Sequence, residues 1–130
     1  MDDRSTYKGL QENIRDMELP GIEIWENKYP ERDFTVRSET GEFTCICPKT
    51  GLPDFARIVV EYVPDRHCLE LKSFKEYLFA YRDIGIFHEH VVNRVLEDLV
   101  KSCRPRRMKV RGDFNIRGGI TTTVEAEYRE

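Results

Sequence analysis

The segment Thr44-Cys45-Ile46-Cys47-Pro48-Lys49-Thr50-Gly51-Leu52-Pro53-Asp54-Phe55 sets a cysteine and a carboxylate seven positions apart, across a loop stiffened by prolines and a glycine. A thiolate held at fixed geometry can attack an electrophilic carbon. A carboxylic acid folded back beside it can hand a proton to the atom that becomes negative. Cys47 and Asp54 are therefore the first candidates for nucleophile and proton donor. The same residues also fit a plainer role, Cys47 as a small buried apolar side chain and Asp54 as a turn residue.

Three other groups could carry chemistry. In Leu69-Glu70-Leu71-Lys72-Ser73-Phe74-Lys75, the lysines stand three apart at the start of a helical pattern, so they share a face and could clamp a phosphate. Cations at a helix N-terminus oppose the helix dipole unless an anion binds there, although a solvated helix face is the ordinary fate of such a pair. Arg117, before Gly118-Gly119, carries the same two readings. In Phe87-His88-Glu89-His90, a His-Glu-x-x-His zinc motif would need histidine where Val92 stands, which removes the metalloprotease reading. Glu89 near a helix start is favoured by the dipole, and it could instead accept paired N–H donors from a guanine-like ring. His88 fits a structural or a functional histidine. Cys45-x-Cys47 with His67-Cys68 raises zinc, but ligands two apart on a strand crowd one another, and no metal is expected.

The elements that must position these residues follow from periodicity. Phe34 and Val36 alternate with polar residues, a Thr40-Gly41 turn is expected next, and an extended stretch covers 43–47. Residues 55–63 form a strand with Ala56, Ile58, Val60 and Tyr62 on one face. Ser73 is the expected N-cap of a first helix carrying Phe74, Tyr77, Leu78 and Tyr81. Val91, Val92, Val95, Leu96, Leu99 and Val100 form the apolar stripe of a second, ending near Pro105. Segments 108–116 and 120–127, joined by Gly118-Gly119, read as a terminal hairpin. The order ββααββ implies an α+β fold with two helices on one face of an antiparallel sheet. Its open edges invite pairing between copies. Residues 1–32 read as an N-terminal extension that packs only in part, and 33–130 as a single domain.

Composition narrows the class. The chain has 130 residues, 35% of them charged, with a formal charge of −3. That balance argues against the broad basic surface of a direct nucleic-acid binder. No apolar run reaches the roughly 20 residues a bilayer demands. The charged start, Met-Asp-Asp-Arg, lacks a secretory signal's apolar stretch, so a cytoplasmic protein with four reduced thiols is expected.

Residues 44–55 and 69–89 resemble the two signature blocks of the 7-cyano-7-deazaguanine reductases, the nitrile reductases of queuosine biosynthesis called QueF. Glu70-Leu71-Lys72-Ser73-Phe74-Lys75 is similar to that family's Glu-(Ser/Leu)-Lys-(Ser/Ala)-x-Lys motif, and Arg117-Gly118-Gly119-Ile120 resembles its closing segment. Asp83 stands where the family pattern has asparagine. The resemblance runs from about Asp33 to Ile120. It implies a tunnelling fold of the single-module type, assembled into a ring-based homo-oligomer (a decamer), with active sites between subunits. It further implies Cys47 as nucleophile and Asp54 as proton donor. Leu69, Glu70, Leu71, His88 and Glu89 would bind 7-cyano-7-deazaguanine. Lys72, Lys75 and Arg117 would bind NADPH, a cofactor that rests on the resemblance alone because no Gly-x-Gly-x-x-Gly follows a strand. The implied reaction takes the nitrile to an aminomethyl group through a cysteine thioimide. Alternatives are an amidinotransferase that adds ammonia to the same nitrile, a zinc-dependent pterin-type cyclohydrolase, and a non-catalytic purine-binding module.

Overall fold

The computed structural model describes residues 18–130. Residues 1–17 of the expected N-terminal extension lie outside the described residues. The architecture is α+β, as the block order implies. Strands β2 (Val36–Ile46), β3 (Pro53–Val63), β5 (Arg107–Arg117) and β6 (Ile120–Arg129) form an antiparallel sheet in that order. Helices α1 (Leu71–Phe79) and α2 (His88–Cys103) are inserted between β3 and β5, with a 3-10 turn at Ala80–Asp83 between them.

The core forms where the two periodicities meet. Ala56, Ile58, Val60 and Tyr62 of β3, with Met108, Val110 and Phe114 of β5, bury one face of the sheet. Against it pack Phe74, Tyr77 and Leu78 of α1 and Val91, Val92, Val95, Leu96 and Leu99 of α2. The opposite face carries Arg37, Glu39, Arg57, Glu61, Arg111 and Glu125, several of them joined in ion pairs.

At Gly112 the inward row of β5 has no side chain. A Cβ there would lie 2.8 Å from Val92 Cγ2, 3.0 Å from Phe114 Cε1 and 3.3 Å from Ile58 Cδ1. The missing side chain lets α2 sit close to the sheet, so that its first residue, His88, lies flat on Phe114. Gly112→Ala should lower stability by about 1–3 kcal/mol through overpacking, read as a fall in melting temperature.

Four features differ from the sequence expectation. The expected Thr40-Gly41 turn is a β-bulge inside one continuous strand. Thr40 pairs with Ile58 and Phe43 with Ala56, so β2 spends two residues where β3 spends one. That extra residue reverses which side chains face inward, from Val36, Ser38 and Thr40 to Phe43 and Cys45. A second irregularity lies between Phe114 and Arg117, where β5 carries the extra residue against β6.

The N-cap of α1 is Glu70, not Ser73. Its carboxylate accepts the N–H groups of Lys72 at 3.0 Å and Ser73 at 2.7 Å. Ser73 instead lies inside the helix, where its hydroxyl accepts the Glu23 N–H at 2.8 Å and donates to the Glu70 carbonyl. Finally, Ile24–Glu26 (β1), within the expected extension, pairs with His67–Leu69 (β4) as a separate two-stranded ribbon. Strands of three residues are too short to leave a period.

Candidate active site

The loop after β2 is closed by its own backbone. The Cys47 N–H donates to the Leu52 carbonyl, and the Gly51 N–H donates to the Cys47 carbonyl, each at 2.8 Å. Gly51 adopts φ 73°, which only glycine takes freely. The strand returns at once, placing Asp54 opposite Cys45 in the register. Asp54 is only 6% exposed.

The end of β2 is also tied to the chain that leads into α2. The Ile46 N–H donates to the Ile84 carbonyl at 2.9 Å, and the Ile86 N–H donates to the Ile46 carbonyl at 3.0 Å. From Ile86 the chain passes through Phe87, the N-cap, directly into His88 and Glu89. This bridge sets the start of α2 beside the cysteine loop. Glu89 occupies the first turn, where the helix dipole favours a negative charge.

His88 reaches Asp54, its Nε2 3.2 Å from Oδ2. Its ring stacks on Phe114 at 3.9 Å between centroids, with 10° between planes. Arg117 donates through Nη2 to Asp54 Oδ1 and to the Pro53 carbonyl. Cys47, Asp54, His88, Glu89 and Arg117 thus meet in one cleft of about 280 Å³, walled by Pro48, Ile86 and Phe87.

The four cysteines are free, and Cys47 alone among them is not fully buried. Burial opposes ionisation of Cys47. Hydrogen bonds from the Thr50 hydroxyl and from the Thr50 and Lys49 N–H groups outweigh both that and the nearby Asp54 charge, and hold the thiol below its ordinary value. Burial, reinforced by the charges of Asp54 and Cys47, pushes Cys45 up to about 12. Burial with the Cys68 charge pushes Cys103 up to about 12, and burial raises Cys68. Iodoacetamide at neutral pH should therefore modify Cys47 and spare the other three, as peptide mapping would read. The rate at Cys47 should rise with pH to a half-maximum that lies below pH 9.0, the ordinary thiol value.

The other expected site residues lie elsewhere on the chain. Leu69 is buried, its N–H donating to the Tyr62 hydroxyl at 2.9 Å. Glu70 caps α1, and the Ser73 and Lys72 N–H groups it accepts hold its carboxyl below the usual range. Leu71 and Lys75 line a second groove of about 310 Å³, between α1 and β2, with Phe43, Phe74 and Phe79. None of residues 69–75 lines the Cys47 cleft. Neither Lys72 nor Lys75 forms an ion pair with a described residue. Among the described residues no group of three or more His, Cys, Asp and Glu could hold a metal ion. Phe114, absent from the sequence reading of the site, supports His88, and its only mark in the sequence was the alternation of a sheet face.

The chain is 59% identical to the NADPH-dependent 7-cyano-7-deazaguanine reductase of Halorhodospira halophila, over 82% of this chain and 91% of the relative. It is 57% identical to the protein of that name from Nitrosococcus oceani, over 84% of each chain. With the one from Chlorobaculum tepidum it shares 55% identity, over 82% of this chain and 92% of the relative. The crystal structure of the archaeosine synthase QueF-Like in its apo form superposes with a TM-score of 0.68 and 29% identity, covering 72% of this chain and 91% of that one. The pattern of the family described as "QueF-like protein" matches residues 53–130. On these grounds, the chain belongs to the QueF-like protein family.

Proposed function

We infer that this protein is an NADPH-dependent oxidoreductase that reduces the nitrile of 7-cyano-7-deazaguanine to 7-aminomethyl-7-deazaguanine, within queuosine biosynthesis. The observation that carries this reading is a thiol of lowered pKa sharing one cleft with Asp54 and Glu89, in a chain 59% identical to a reductase of that name.

Cys47, as thiolate, adds to the nitrile carbon. Asp54 delivers a proton to the nitrogen, and the product is a covalent thioimide. Glu89 accepts the N–H donors of the deazaguanine ring, and His88 holds Asp54 from the other side of the cleft. Bound NADPH supplies hydride, two molecules per nitrile. After the first reduction Cys47 leaves as thiol, and an imine remains in the cleft for the second.

The residues present fit the cofactor. Lys75 lines a largely apolar groove that Glu39 and Glu42 also border, and Lys72 stands near the Glu70 carboxylate; the two ammonium groups suit a phosphorylated ligand with a flat ring. The α1 N-terminus itself is taken by the Glu70 carboxylate, so the lysine side chains would hold the phosphates.

Residues 69–75 lie outside the Cys47 cleft of their own chain, and β2 and β6 are sheet edges. Both features support a ring-based homo-oligomer of the tunnelling type, in which a neighbouring copy's segment 69–75 faces the cleft. No described helix is long and apolar enough to cross a membrane. The free thiols suit a reducing cytoplasm.

The test is stoichiometry. Purified protein should oxidise two NADPH per nitrile consumed and release the primary amine. Nitrile consumption that requires ammonia and leaves NADPH untouched would assign the chain to amidine formation instead. Binding of the nitrile without turnover would assign it to purine binding.

A further inference from the structure

We propose that Arg117 is a positioning residue for the proton donor Asp54, acting in the addition step before any cofactor takes part. The inference rests on the reading of Cys47 and Asp54 given above.

Family resemblance groups Arg117 with Lys72 and Lys75. The fold separates it from them. The lysines belong to the α1 segment outside the Cys47 cleft, whereas Arg117 lines that cleft. Its guanidinium spans the backbone carbonyl of Pro53 and the side chain of Asp54, two acceptors on consecutive residues. One nitrogen, Nη2, makes both bonds, its two N–H groups reaching one acceptor each.

The bulge between Phe114 and Arg117 is what aims it there. On β5 the inward residues are Met108, Val110, Gly112 and Phe114, so Arg117 would face outward in an unbroken strand. The extra residue turns it to the side of the sheet that carries Asp54, His88 and Phe114. The hairpin then closes at once, through Gly118 at φ 57° and Gly119 at φ 81°.

The two oxygens of Asp54 are consequently divided. Arg117 holds Oδ1, and His88 shares Oδ2. With Oδ1 fixed, Oδ2 is the oxygen left to pass a proton. In the addition, the S–C bond forms, one π bond of C≡N breaks, and nitrogen gains a proton from Asp54. The Cys47 thiol passes its proton to the Asp54 carboxylate, which hands it on to the nitrogen, so the net change is addition of S–H across C≡N and Asp54 is regenerated. No hydride enters. An arginine that served only the cofactor would be silent in this step.

The experiment follows adduct growth by intact mass, with the full-length protein, saturating 7-cyano-7-deazaguanine and no NADPH. Arg117 is half exposed on the hairpin, so substitution there spares the core. Arg117→Ala should form the adduct about 10- to 100-fold more slowly than the unmodified protein. Methylguanidinium should restore part of the Arg117→Ala rate. An Arg117→Ala adduct rate equal to the unmodified protein's, with only the KM for NADPH raised, would overturn the proposal. Failure of the unmodified protein to form an adduct would overturn the thioimide reading, and this proposal with it.

Discussion

Cys47→Ala is expected to abolish nitrile reduction, by on the order of 10⁴-fold or more, while leaving the fold and the affinity for the deazaguanine ring almost unchanged. The size of the effect follows from the chemistry. A nitrile accepts hydride poorly, and only a covalent bond to sulfur converts it into the more reducible thioimide. None of the other three thiols can substitute. Cys45, Cys68 and Cys103 are each no more than 3% exposed, and burial raises the pKa of all three. The alanine would lose the thiol's bonds with Thr50 and Lys49, but the loop is also closed by backbone bonds, Cys47 to Leu52 and Gly51 to Cys47, so the geometry around it should persist. NADPH oxidation measures the loss, and equilibrium binding of the nitrile verifies that the cleft survives.

Asp54→Asn should lower kcat by roughly 10²- to 10⁴-fold, the range for loss of a positioned proton donor. An amide has the same shape and can still accept from Arg117, but it cannot pass a proton to the nitrile nitrogen. Cys47 should remain alkylatable in this variant, since the hydrogen bonds that lower its pKa come from Thr50 and Lys49. Slow adduct formation with a reactive thiol would therefore separate proton delivery from nucleophile activation.

The elements that bury a face were readable because burial imposes a period. Alternation located β3 and the β5–β6 hairpin, and the stripe from Val91 to Val100 located α2. The bulges were not readable. An extra residue in a strand leaves no compositional mark, and Gly41 beside Thr40 reads more simply as a turn. Yet these two insertions decide the inward direction of Phe43 and Cys45 on one strand and of Arg117 on another. The cap of α1 was misread for a related reason: serine is the commoner capping residue, and the hydrogen bonds Ser73 makes to Glu23 and Glu70 depend on a strand far away in sequence.

At the site, the pairing of Cys47 with Asp54 was visible because one short loop joins them. The addition of His88 and Arg117 depends on contacts that bridge 34 and 63 residues. Local pattern carries no trace of such contacts, and the resemblance offered His88 for the substrate while grouping Arg117 with the lysines instead. Nor could spacing foretell that residues 69–75 would fall outside the cleft, because that follows from where the β1–β4 ribbon and Glu70 start α1. Phe114 looked like any inward aromatic until the absent side chain of Gly112 let His88 settle on it.

The most direct measurement of the central claim is the intact mass of fully reduced protein mixed with 7-cyano-7-deazaguanine in the absence of NADPH. We expect a gain equal to the whole mass of the nitrile, mapped to Cys47 and missing from Cys47→Ala. Undiminished turnover of the nitrile by Cys47→Ala, with no adduct on either protein, would contradict the account.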